Sequence, residues 1–82
     1  LPRIYEFDGW SIYMYFKDHP PPHIHLIKNE QEIVYTIDGE YLHGKTRDLD
    51  IDKLMIILNR NNAILKYNWK QMQGKGKYVK LR

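Results

Sequence analysis

An α+β domain is predicted: an antiparallel meander of three or four strands, followed by two helices packed on one of its faces. Two observations carry this. Apolar and aromatic residues alternate at period two through the first half, between Asp-Gly and Asn-containing turns, and they recur at helical spacing from Ile51 onward. Length supplies the third, because 82 residues make one domain over residues 1–82 with a small core and no linker to divide it.

Residues 4–7 read as a short strand that turns through Asp8-Gly9, a good hairpin dipeptide, into residues 11–17 (Ser-Ile-Tyr-Met-Tyr-Phe-Lys). That run is rich in β-branched and aromatic residues, which suit a pleated surface, and the prolines after it end it. Residues 23–28 form the next strand, Asn29-Glu30-Gln31 a turn, and residues 32–37 its antiparallel partner; Asp38-Gly39 then turns into residues 40–43. In the second half Ile51, Leu54, Met55 and Leu58 share a helix face, with Asp48 or Asp50 available as N-cap. Asn59-Arg60-Asn61-Asn62 can end this helix and cap another, whose apolar side holds Leu65, Trp69 and Met72 before Gly74; one bent helix over residues 50–73 is the alternative. Residues 74–82 make a basic, glycine-punctuated tail, either mobile or adding a last strand at residues 78–81.

Composition excludes several classes. With 43% hydrophobic and 13% aromatic residues the chain is too rich in bulky side chains for disorder. The absence of cysteine removes disulfides and thiolate zinc sites, favours a cytoplasmic home, and leaves any metal to His, Asp or Glu. The longest apolar run, residues 54–58, falls far below a membrane span, and Leu1-Pro2-Arg3-Ile4 does not resemble a signal peptide, so no membrane partner is expected. A formal charge of +3 is a mild bias toward anionic partners.

The least ordinary segment is His19-Pro20-Pro21-Pro22-His23-Ile24-His25, which packs three of the chain's four histidines around a proline clamp. Residues two apart on a strand share a face, so Ile24 and Leu26 point one way and His23 and His25 the other. With helices over the apolar face, Ile12, Met14, Phe16, Ile33, Tyr35 and Ile37 join Ile24 and Leu26 in the core. Tyr13, Tyr15, His23, His25 and Thr36 are then left on an open face.

Three chemistries fit that surface. In a metal site, His23 and His25 stand about 7 Å apart at Cα and can share an ion, with Asp18, Asp8 or Glu6 as carboxylate ligands. His19 is set apart, about 12 Å from His23 if the prolines run as polyproline, unless a turn or a cis bond folds it back. Acid–base catalysis on a phosphodiester would use His19, His23 and His25, with Asp18, Tyr13 or Tyr15 as partners. Nucleic-acid binding would stack bases on the Tyr and His rings and neutralise phosphates with Lys75, Lys77, Lys80 and Arg82. Each has a plain counterpart: strand histidines bonded locally, tyrosines in cross-strand pairs, a solvated tail, Trp69 in the core, Trp10 in the core or at its rim, and His43 at a strand end without special duty. There is no Ser or Cys nucleophile motif and no glycine-rich phosphate loop.

Asp18-His19-Pro20-Pro21-Pro22-His23-Ile24-His25 resembles the signature of a family of small bacterial proteins catalogued as domain of unknown function 4160, which reads Asp-His-x-Pro-Pro-His-aromatic-His after a Tyr-rich strand. Pro2-Arg3-Ile4, Phe7-Asp8-Gly9, residues 12–16 and Asn68-Trp69 resemble its other landmarks, whereas Ile24 replaces an aromatic and Leu1 stands where a starting Met is expected, so further residues are expected upstream. The resemblance implies a short cytoplasmic bacterial protein, often encoded beside another small protein in an arrangement like a toxin–antitoxin module, with RNA or that neighbour's product as partner. The expected function is accordingly a toxin–antitoxin-like component that acts on or binds RNA, with His19, His23 and His25 as its site and Tyr13, Tyr15, Lys75 and Lys77 in support. The alternatives are an interaction module docking through the proline–histidine loop and a small His-based metal-binding protein; neither the cofactor nor the oligomeric state is specified.

Overall fold

A computed structural model describes residues 2–82; Leu1, with the expectation attached to it, lies outside them. The chain forms β1 (Arg3–Phe7), β2 (Trp10–Tyr13), β3 (His23–Lys28), β4 (Gln31–Thr36), β5 (Tyr41–Gly44), α1 (Ile51–Arg60) and α2 (Asn62–Gln73). The sheet is an antiparallel meander in the order β1-β2-β3-β4-β5. It therefore has five strands rather than three or four, since the short end strands both pair.

The turns are made by residues that tolerate left-handed backbone. Asp8 and Gly9 take φ of 49° and 81°, joining Phe7 to Trp10 in the two-residue hairpin, and Asn29 at 54° turns β3 into β4. Gly44 ends β5 at φ 105°, where a Cβ would collide with the Glu32 carbonyl and the Ile33 Cα, so only glycine fits. The Asp50 carboxylate caps α1 by accepting from the Lys53 N–H at 3.1 Å, worth about 1 kcal/mol. Asn61 separates the helices, so there are two rather than one bent rod.

One sheet face carries Ile12, Ile24, Leu26, Ile33 and Tyr35 against Leu54, Ile57 and Leu58 of α1 and Leu65 and Met72 of α2, all buried. Trp10 is fully enclosed in this core. Phe16 is not a core residue: it is 47% exposed and rests edge-on against Tyr78. The expected strand over residues 11–17 ends at Tyr13, and Lys17, at φ 56°, donates its N–H to the Met72 carbonyl of α2 at 2.8 Å. A tertiary tie to the helix thus overrides strand propensity.

The tail is neither a strand nor loose. It runs back along α2, read by two buried asparagines two helical turns apart. Asn68 donates to the Val79 carbonyl (2.7 Å) and accepts from the Val79 N–H (2.8 Å); Asn61 does the same for Arg82 at 2.9 and 2.8 Å. Between them the Leu81 N–H reaches the Ile4 carbonyl of β1 at 2.9 Å, with the Leu81 side chain in the core. Asn68→Ala deletes two hydrogen bonds and strands two backbone groups, so urea unfolding should show a loss of about 2–3 kcal/mol together with faster tryptic cleavage at Lys77 and Lys80; unchanged stability with an uncut tail would contradict the clamp.

Candidate functional site

The segment between β2 and β3 leaves the sheet after Tyr13 and returns at His23. It is pinned at one end by Lys17 on Met72, and at the other by the Pro22 carbonyl, which accepts from the Ile37 N–H at 3.1 Å. The Pro20–Pro21 peptide within it is cis. The loop folds back on itself, so that the His19 and His23 rings stand 5.4 Å apart, not at the separation extended prolines would give.

The fold-back lays Asp18 over the outer face of β3. Its Oδ2 lies 2.8 Å from His23 Nε2 and 3.2 Å from His25 Nε2. Each imidazole is held from behind: His23 Nδ1 bonds the Pro21 carbonyl at 2.6 Å, and His25 Nδ1 bonds Glu32 Oε2 at 3.0 Å. A carbonyl or a carboxylate only accepts, so Nδ1 carries a proton in both rings, and each Nε2 meets the Asp18 carboxylate either as a second N–H donor or across a bound cation. One ligand atom from each of Asp18, His23 and His25 lies within 4.8 Å of the others, and this is the one such group among the described residues.

Asp18 titrates below the ordinary carboxylate range. Burial works against its ionisation, but hydrogen bonds from His25 and the His19 N–H, with the charge and hydrogen bond of His23, outweigh it. Tyr15 is shifted upward, first by burial and then by the charges of Glu32, Tyr13 and Asp18, so its hydroxyl stays protonated. Aromatic walls surround the pair: Trp69 of α2 stands 5.3 Å from His23, and Tyr15 is 4.5 Å from His25, ring centre to ring centre.

The predicted open face is thus only partly open. His23 is 3% exposed and Thr36 is buried, while Tyr13, Tyr15 and His25 are half-buried, because the loop and Trp69 cover the end of the sheet. His19 remains exposed, rooted by its N–H on Asp18 Oδ1 at 2.9 Å. Tyr13 and Tyr15 lie nearly parallel, 6.2 Å apart. Lys75 and Lys77 are exposed on the tail, and neither joins an ion pair or side-chain hydrogen bond among the described residues. His43 pairs with Val34, which pairs with His25, so it stays two strands away. Glu6 and Asp8 are engaged elsewhere, with Arg3 at 3.2 Å and Lys53 at 2.9 Å.

Two participants escaped the sequence reading. Glu32 was legible in principle, because the β3–β4 register makes it a same-face diagonal neighbour of His25. Trp69 was expected in the core; it packs there from one side and meets His23 on the other.

The chain belongs to the family described as Domain of unknown function (DUF4160), whose sequence model matches residues 9–70, a stretch that includes the whole Asp18–His23–His25 cluster and leaves out β1 and the tail. No curated protein and no solved structure matches the chain. Among the described residues no helix is long and apolar enough to cross a membrane. The ring geometry has a direct spectroscopic consequence: long-range ¹H–¹⁵N correlation spectra should show the His23 Nδ1 protonated at neutral pH, and a spectrum with the proton on Nε2 alone would refute the arrangement.

Proposed function

We propose that this DUF4160 member is a small metal-binding protein, holding one divalent transition-metal ion through Nε2 of His23, Nε2 of His25 and a carboxylate oxygen of Asp18. The observation that carries this reading is the common orientation of the two imidazoles, each with Nδ1 bonded to an acceptor and Nε2 turned onto the same Asp18 oxygen. Two ring nitrogens and a carboxylate oxygen converging on one point need positive charge between them, as protons or as a metal ion. Protonating both rings, whose centres stand 5.1 Å apart, would supply it with Asp18 and Glu32 as counter-charges. A divalent ion supplies it with both rings neutral.

The surroundings favour the ion as well. A tetrahedral zinc-like ion, with bonds near 2.0–2.1 Å, sets its donor atoms about 3.3 Å apart, and the Asp18–imidazole separations of 2.8 and 3.2 Å require little adjustment. The Pro21 carbonyl and Glu32 are the outer partners that fix ring orientation and raise ligand basicity. Imidazole and carboxylate without thiolate suit zinc, cobalt, nickel or copper, rather than calcium or magnesium with their all-oxygen preference.

A second reading, a toxin–antitoxin-like component that binds or cuts RNA, is supported by the exposed His19 and by the parallel Tyr13 and Tyr15 rings beside His25. It ranks second because the nitrogens that acid–base chemistry needs face Asp18, and His23 is almost wholly buried.

Calorimetric titration of chelator-stripped protein with zinc should give one site, lost in the His23→Ala/His25→Ala double variant, whereas Glu32→Gln should keep the stoichiometry and weaken binding about 10- to 100-fold. Absence of zinc, cobalt, nickel and copper binding, alongside metal-independent cleavage or retention of RNA, would replace the first reading with the second.

A further inference from the structure

We infer that His19 is the fourth protein ligand of the ion, closing over it from the solvent side so that the completed centre is three imidazoles and one carboxylate with no place for water. This rests on the metal-binding reading and adds its coordination number. The His19 ring has the same polarity as the other two: Nδ1 is bonded to a carbonyl, that of Pro20 at 3.2 Å, so Nε2 is the nitrogen free to bind. That Nε2 stands 3.9 Å from Asp18 Oδ1, and the ring lies 5.4 Å from His23. Three histidines thus turn the same nitrogen toward one carboxylate, two on Oδ2 and the third on the Oδ1 side.

The mechanics suit closure. The root of His19 is fixed, because its N–H is bonded to Asp18 Oδ1 at 2.9 Å, while its side chain is 83% exposed and no packing opposes its rotation. His19 stands outside the group of ligand atoms that lie within 4.8 Å of one another, so reaching the ion takes a rotation of its exposed ring about that fixed root. Trp69 and Tyr15 already stand against the rings of His23 and His25, so His19 approaches on the exposed side. A centre with four protein ligands holds its metal without an open position, which is the pattern of structural rather than hydrolytic sites.

Cobalt(II) reports coordination number directly, through the intense visible absorption of its four-coordinate form. With cobalt alone as the probe, wild-type protein should bind one ion and develop the four-coordinate spectrum. His19→Ala, which removes an exposed side chain, should unfold as the wild type does when metal-free, bind cobalt at least tenfold more weakly, and give a spectrum altered by water that free imidazole restores toward the wild-type form. Equal affinities and identical spectra for the two proteins would overturn the inference while leaving the three-ligand site standing. A wild type that binds no cobalt overturns both.

Discussion

Strand β3 lies at the centre of the sheet, and its alternation ties the core to the site. Ile24 and Leu26 are wholly buried on one face, while His23 and His25 present their imidazoles on the other, and hydrogen bonding to both β2 and β4 fixes the register. A slip of one residue would send two imidazoles into the core and two aliphatic side chains to the outer face, at a cost of several kcal/mol for the lost apolar burial alone. The core therefore defends the positions of the histidines, although it never touches their ring nitrogens.

Much of this was legible in the sequence, where local chemistry decides. The Asp8-Gly9 turn, the β3 face assignment, the Asp50 cap and the interruption near Asn61 all follow from residues close together in the chain, and the structure has each of them. What was not legible depends on contacts across the fold. Tyr15 and Phe16 have strand-forming side chains, yet they lie outside β2 because Lys17 bonds a helix carbonyl more than fifty residues away. The same fold-back brings His19 to His23, a proximity that no spacing rule for extended prolines could give. Asn61 reads as part of a helix end and cap and Asn68 as part of a family landmark, and their function as clamps exists only once the tail lies beside them.

The site and the fold also answer one another electrostatically. Asp18 is a loop carboxylate brought over a sheet, and burial alone would raise its pKa; the donors it meets there reverse the direction. Trp69 is shared between the core and His23, so the helix layer contributes a wall to a site formed by strands and a loop. A change in α2 packing would thereby be felt at the imidazoles.

The paired amides of Asn61 and Asn68 grip peptide groups, not side chains. The tail's fold is consequently indifferent to what residues 79, 80 and 82 display, because Val79, Lys80 and Arg82 are all exposed while the backbone of Val79 and Arg82 is held. This separates a position from its identity. Lys80 and Arg82 ride on a rail of fixed spacing whose charge can be rewritten, to opposite sign or to none, at little expense to the fold.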